Sequence, residues 1–105
     1  MRYLMILEVS QKQAYIFSST KLKDNIEHSN NICQVTDIQY FQTIADRAGI
    51  PFSEEDNLVY SGGGHTVLEF DSEKTARKFA YAVSRIVKQE FTEIALFIKV
   101  MEYDE

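Results

Sequence analysis

The sequence contains very few of the residues that cross-link a chain or restrict and loosen its backbone. Its 105 residues include one cysteine, Cys33, one proline, Pro51, four glycines and no tryptophan. A single thiol cannot form an internal disulfide, so the cytoplasm is the expected compartment. Because Cys33 lies in an apolar periodic segment, we expect a buried thiol and not a catalytic one.

Long apolar runs and an excess of positive charge are also missing. The apolar run over residues 3–9 is too short for a signal peptide or a membrane span. Sixteen acidic residues outnumber 11 lysines and arginines, giving a formal charge of -5. This balance argues against a generally basic nucleic-acid-binding surface, although it leaves room for a small anionic ligand held by backbone amides. With no repeat or linker and 45% apolar residues, residues 1–105 are expected to form one soluble domain.

The apolar pattern predicts an alternation of strands and helices. Residues 3–9 form a nearly continuous apolar run, which favours a central strand covered on both faces. The charged stretch 21–28 fits either a helix or an ordered loop. The remaining predictions are a short helix over 11–18 with Ser10 as N-cap, an amphipathic helix from Ser29 to Ala48 ended by Gly49 and Pro51, a β-hairpin over 58–70, a helix capped by Asp71–Ser72, and a last strand over 94–101.

This order predicts an α+β ferredoxin-like fold, βαββαβ. Its sheet has four antiparallel strands, and the two main helices cover one face. The first and third strands are the central pair in that topology. Glu8, at the end of the first strand, is therefore expected beside Gly64 and His65 at the start of the third.

Two segments carry a resemblance to a known family. Residues 8–17, EVSQKQAYIF, resemble a D-x-S-G-I-Q-x-F-I-F segment, and the basic run 20–23 followed by Ser29 resembles the region downstream of it. Residues 60–65, YSGGGH, resemble a Y-x-G-G-G turn. These motifs are typical of the first palm domain in the large subunit of type III CRISPR effector complexes, and together they span most of the chain.

The resemblance implies a nucleotidyl-cyclase-like palm domain tied to CRISPR defence, which handles ATP, with Mg or Mn, or cyclic oligonucleotides. Paired palms are common in the family. The implied partners are therefore a second palm, by self-association or in a longer parent chain from which this domain is excised, and other CRISPR effector subunits. Neither a membrane nor nucleic acid is an expected direct partner.

The hairpin departs from the catalytic pattern of the family. Active palms carry G-G-D-D there, because two divalent cations need carboxylates to hold them against a triphosphate. This chain has Gly64 and His65 instead, which argues against an enzyme. Glu8 is either a palm-position acid or a strand end reaching solvent, and Glu69 lies too far along its strand to restore the pair. His65 either ligates a metal with Glu8 or merely starts a strand.

The candidate nucleotide-binding residues are donors and backbone groups. Gly62, Gly63 and Gly64 let main-chain N–H groups approach a phosphate or ribose, or they only form a tight turn. Ser61 belongs to the same motif. Donors at two helix N-termini, where anions are favoured, complete the set or act as ordinary caps: Ser10, Gln11 and Ser29.

Three functions remain open from the sequence. The first is a nucleotide-binding or assembly module without catalytic acids. The second is a minimal CRISPR-type cyclase or polymerase that makes cyclic nucleotides from ATP, with Glu8 as surviving metal ligand. The third is a homodimerising ferredoxin-like domain with no nucleotide function. His28 is expected to be solvated, Phe17 core or half-buried, and the basic face of the last helix solvated.

Overall fold

The chain folds as a four-stranded sheet with helices packed on one face. The computed structural model describes residues 2–103, apart from the side chains of Lys12 and Gln13. The elements in chain order are β1 (Arg2–Ser10), α1 (Lys12–Ile16), α2 (Leu22–Val35), α3 (Ile38–Ala48), α4 (Glu54–Asn57), β2 (Leu58–Gly62), β3 (His65–Phe70), α5 (Glu73–Glu90) and β4 (Ala95–Tyr103).

The sheet has the order β2-β3-β1-β4, with every neighbouring pair antiparallel. This is the predicted ferredoxin-like arrangement, with β1 and β3 at the centre. Glu8 lies opposite His65 in the β1–β3 register. The prediction that these residues are neighbours across the central strands is confirmed.

The core lies between the sheet and the helices. Alternate residues of β1 and β3, among them Met5, Leu7 and Leu68, are fully buried. They pack in one cluster with α3 and α5, where the Phe41 and Phe79 rings meet edge to face with centroids 6.2 Å apart. Each such side chain contributes about 1.5–3 kcal/mol through burial. The core therefore fixes the helical side of the sheet and the strand register with it.

The opposite face of the sheet is open, which corrects the prediction for β1. Residues of β1 alternate between the two faces, and those between the core positions are half-buried or, at Glu8, exposed. The near-continuous apolar run suggested cover on both faces. Leu4 and Ile6 are instead shielded only in part.

The predicted helix from Ser29 to Ala48 is wrong as a single element. Helix α2 ends at Val35, Thr36 lies in a turn, and α3 starts anew with Asp37 as its N-cap, whose carboxylate accepts a hydrogen bond from the Gln39 amide. The apolar period continues across the break because both helices face the same sheet. The predicted end at Gly49 is confirmed, since Gly49 adopts the left-handed conformation there.

Three local predictions are also wrong. Cys33 is exposed, because the buried face of α2 runs through Ile32 and Val35. Phe17 is 68% exposed. His28 is half-buried: its ring stacks on Tyr15 at 4.5 Å, and its Nδ1 lies 2.9 Å from the Tyr15 carbonyl, which can only accept. His28 thereby joins α1 to α2.

Helix α5 separates its two faces as predicted. Ser72 caps it by accepting from the Thr75 amide, and its buried residues include Phe79 and Val83. The basic side chains lie exposed on the other face, at Lys74, Arg77, Lys78, Arg85 and Lys88. Within residues 2–103, no helix combines the length and the apolar character that crossing a membrane would require.

Candidate functional site

The β2–β3 hairpin closes through a two-residue turn, Gly63–Gly64. Both glycines have positive φ, 61° and 79°, as the tightest hairpin turns require at both central positions. Gly62 is the last residue of β2 and does not share this conformation, but a Cβ there would lie 3.2 Å from the Tyr60 hydroxyl. The two turn glycines are therefore needed by the backbone, whereas a side chain at Gly62 would require only a small shift of the exposed Tyr60 ring.

The end of β1 lies directly against this turn. The Val9 amide donates to the Gly64 carbonyl at 2.9 Å, so Gly64 is tied to the central strand. Ser10 is the last residue of β1, opposite Ala95, and is not an N-cap as predicted. Gln11 follows with a φ of 53° and accepts from the Tyr15 amide at 3.1 Å, which starts α1.

A hydrogen-bond cluster, buried at Thr36 and Thr66 and exposed at Ser61, anchors the hairpin to the α2–α3 junction. The Thr36 carbonyl accepts from Ser61 Oγ at 2.7 Å and from Thr66 Oγ1 at 3.2 Å. Thr66 is fully buried and Thr36 nearly so. Ser61 thus already donates its hydroxyl proton within the fold. Thr36 and Thr66 were missed from sequence, although a threonine alternating with the buried Leu68 and Phe70 is a signal for a buried polar contact.

An open, groove-like cavity of about 520 Å³ lies between α2 and the glycine turn. Gly62, Gly63, Gly64, Ser61 and Ser29 all line it, so five of the predicted residues come together. Ser29 reaches it from the middle of α2 and not from a helix N-terminus, because α2 already begins at Leu22. Helix propagation through the charged stretch 22–28 displaced the predicted start.

The rest of the lining is uncharged or acidic, and it includes Thr36. Ile16 and Ile32 provide aliphatic walls, and Cys33 and Asp37 add a thiol and a carboxylate. Lysine and arginine do not occur among the described lining residues. An environment of this kind suits a flat, uncharged ring better than a bare phosphate, whose charge the Asp37 carboxylate would repel.

Glu8 and His65 lie outside this lining, on the open face at the same end of the sheet. Among residues 2–103, no group of three or more histidine, cysteine, aspartate or glutamate side chains is placed to hold a metal ion. Glu8 and His65 therefore form a two-residue pair at most. Magnesium prefers oxygen ligands in octahedral geometry, so this pair fits it poorly.

Glu69 serves a different cluster, at the far end of the sheet. Its carboxylate accepts hydrogen bonds from the Tyr103 hydroxyl and from Arg2, whose Nη2 lies 2.5 Å from Oε1. The bond from Tyr103, followed by that from Arg2, holds the pKa of Glu69 below its ordinary value. Glu69 is opposite Leu4 and four residues from His65, so it adds no carboxylate next to the Gly63–Gly64 turn.

Known proteins resemble this chain in three-dimensional structure but not detectably in sequence. No protein-family profile matches the chain, and no curated sequence matches it. Several solved structures share its fold. Three of them are a Csm1–Csm4 cassette in complex with cA3 (TM-score 0.69, 19% identity), a Csm1–Csm4 cassette in complex with one ATP (0.68, 19%) and Csm1 in T. onnurineus (0.65, 20%).

These similarities cover 95% of this chain but only 14%, 14% and 15% of the three larger chains. The fold is therefore that of one part of Csm1, the large subunit of type III CRISPR complexes. The resemblance inferred from the two sequence motifs is confirmed at the level of the fold.

Proposed function

We propose that this chain is a CRISPR-associated palm module that binds an adenine nucleotide without turning it over. The observation that carries the proposal is the cavity formed by α2 and the Gly63–Gly64 turn. Its volume of about 520 Å³ lies within the range of small-molecule sites, about 300–1,000 Å³. Solved structures of the same fold are complexes with ATP and with cA3, which supports an adenine nucleotide as the ligand.

The lining orients the nucleotide. The base enters between Ile16 and Ile32, where apolar side chains replace water. Asp37 offers carboxylate oxygens, which accept hydrogen bonds from an exocyclic amine such as that of adenine. The ribose lies at the Gly63–Gly64 turn, where the absence of side chains permits close approach of the main chain. The phosphates extend from it into solvent, away from the Asp37 carboxylate.

Catalysis is not part of the proposed function. Holding two cations against a triphosphate takes several carboxylates, and Glu8 is the one carboxylate at the hairpin end of the central strands. His65 directly opposite it supplies a nitrogen ligand. The rival proposal, a minimal cyclase, rests on this exposed Glu8 and needs further ligands from another chain.

A second palm and other CRISPR effector subunits are the proposed partners. Three large apolar side chains in α2 and the segment before it are exposed, Phe17 at 68%, Leu22 at 73% and Ile26 at 54%. Leu22 and Ile26 are four residues apart on α2, so they share one face. This face provides apolar area for an opposing palm next to the nucleotide.

The unique cysteine provides a direct test of binding. Cys33 is exposed and lines the cavity, so a bound nucleotide should slow its alkylation by a thiol-reactive probe. ATP and adenosine at millimolar concentration are expected to protect Cys33, whereas tripolyphosphate is not, because the base occupies the cavity. An unchanged alkylation rate in ATP would overturn the proposal.

Two neighbouring α2 residues give matched variants. Ser29→Phe fills the cavity and should abolish ATP protection of Cys33, whereas Asn30→Phe, at an exposed position outside the cavity lining, should retain it. Incubation with ATP and Mg or Mn tests the non-catalytic part. A cyclic or linear oligonucleotide product that disappears in Glu8→Ala would show that the chain is an enzyme.

A further inference from the structure

The two edges of the sheet differ in how well they resist pairing. Edge strand β2 has five residues, and its register with β3 shifts between Leu58 and Tyr60. Edge strand β4 has nine residues and pairs with β1 without a shift, from Ala95 to Tyr103. It contains neither proline nor glycine. Bulges, short length, proline and charged side chains are devices that protect edges. Strand β4 has only the charges of Lys99 and Glu102, so it is the less protected edge.

Apart from Lys99 and Glu102, strand β4 is apolar on both faces. Phe97 and Met101 lie on the open face of the sheet and are 54% and 39% exposed. Ile98 and its alternate neighbours face the helices and form the floor of an open groove of about 420 Å³ against α5, where Tyr81 is 66% exposed. A long edge strand that is mostly apolar on both faces is a surface for strand addition.

We propose that β4 pairs antiparallel with β4 of a second copy, joining two sheets into one of eight strands. The two-fold axis passes midway between the Ile98 residues of the two copies. Residues directly opposite then have numbers that sum to 196. Leu96 of one copy lies opposite Val100 of the other, Phe97 opposite Lys99, and Ala95 opposite Met101. Every helix-side pair within this overlap is apolar.

The charges on β4 select this register. Directly opposite residues lie on the same face of a sheet. The two-fold axis must therefore lie between the two copies of one residue, and each register is named by that residue. An axis through Lys99 sets two lysines directly opposite each other, which is destabilising. An axis through Val100 sets Ile98 opposite Glu102 on the groove side, where a carboxylate loses water. An axis through Phe97 reduces the paired segment to residues 95–99.

A second copy fits this edge because the strand is its own complement. At the Ile98 axis each Lys99 ammonium lies over the ring of the other copy's Phe97, a favourable cation–aromatic arrangement. No like charges oppose each other within residues 95–101. Two chains of charge -5 repel at long range, so added salt strengthens the association by screening. This interface is separate from the nucleotide cavity and extends beyond the proposed function.

Charge substitutions at the exposed Phe97 test the register by sedimentation equilibrium of the full chain. Phe97→Lys places lysines opposite Lys99 twice per dimer and should weaken association about tenfold or more. Phe97→Glu places unlike charges across the interface and should retain it; within each copy the new carboxylate lies opposite Glu8, and the thermal melt of this variant measures that repulsion. The double variant Phe97→Lys with Lys99→Glu should restore it. Val59→Lys, at an equally exposed position on β2 (54%), is the matched control and should leave association unchanged.

Three results would overturn the proposal. The first is a monomeric wild-type chain at submillimolar concentration. The second is equal weakening by Phe97→Lys and Phe97→Glu, which would indicate non-specific apolar contact. The third is equal weakening by Val59→Lys, which would place the interface elsewhere. Thermal melting of each variant, followed by circular dichroism, verifies that the monomer fold is intact.

Discussion

Gln11 occupies a backbone conformation that favours glycine, so Gln11→Gly should stabilise the chain. Gln11 has a φ of 53° and is the one non-glycine residue with positive φ within residues 2–103. It follows β1 directly, next to the strand end that contacts the Gly63–Gly64 turn. The motif that residues 8–17 resemble has glycine at this position. In this chain the backbone keeps the positive φ at position 11, although glutamine replaces the glycine that adopts it without strain.

The expected gain is the difference between two effects. A left-handed conformation costs an L-residue about 1–2 kcal/mol. Glycine removes that cost but gives the unfolded chain more freedom, which offsets about 0.4–1 kcal/mol. Gln11 is exposed, so loss of its side chain leaves no cavity. The net stabilisation should be about 0.5–1 kcal/mol, equivalent to a rise in Tm of about 2–8 °C for a domain of this size.

Urea unfolding followed by circular dichroism measures this change. Gln89→Gly is the matched control, because Gln89 is an exposed residue in the last turn of α5, where glycine relieves no strain and costs part of the ~1 kcal/mol that it costs in a helix interior. Opposite signs for the two variants are expected. If Gln11→Gly destabilises the chain as Gln89→Gly does, Gln11 is not held in a strained conformation and the reasoning fails.

Two further predictions concern polar contacts in the sheet. The lowered pKa of Glu69 means that its hydrogen bonds to Tyr103 and Arg2 contribute stability at neutral pH, which is lost as the pH falls below the ordinary carboxyl value of 4.5. The variant Glu69→Gln should therefore be less stable than the wild type at pH 7, and its acid unfolding, followed by circular dichroism, should depend less on pH. An unchanged acid-unfolding profile would contradict this. Thr66→Val removes one donor to the Thr36 carbonyl and should cost about 1 kcal/mol in urea unfolding while speeding Cys33 alkylation, whereas unchanged alkylation would show that this bond does not hold the hairpin.

The topology was predictable because it rests on patterns that the core enforces. The alternating apolar residues of the strands and the spaced ones of α5 both describe surfaces that must be buried, and their order leaves few arrangements. The opposition of Glu8 and His65 followed from the topology alone. Side-chain identity was unnecessary for that step.

The α2–α3 boundary was not predictable from periodicity, since both helices bury the same side. The local signal was Asp37, a good N-cap followed by the apolar Ile38, but it competes with an uninterrupted apolar period. The misplaced start of α2 had a further consequence. The sequence predicts Ser29 at a helix N-terminus. Because α2 begins at Leu22 instead, Ser29 lies in the middle of the helix, where it lines the cavity.

Helical phase also decided the position of Cys33. Successive helical residues are about 100° apart, so a cysteine next to the buried Ile32 can face away from the core. The usual burial of free cysteine pointed the other way. The cavity wall of α2 therefore appeared only once the helix and the hairpin were placed together.

The two proposed surfaces lie on different parts of the molecule, so they make independent claims. The cavity borders the turn at the end of β2, one edge of the sheet, whereas β4 is the other edge. Pairing through β4 leaves both cavities on the outer sides of an eight-stranded sheet, and neither copy reaches the other's glycine turn. A palm that opposes the cavity must then come from another chain. Phe97→Lys should accordingly weaken self-association and leave ATP protection of Cys33 unchanged, whereas joint loss of both would mean that one interface builds the nucleotide site.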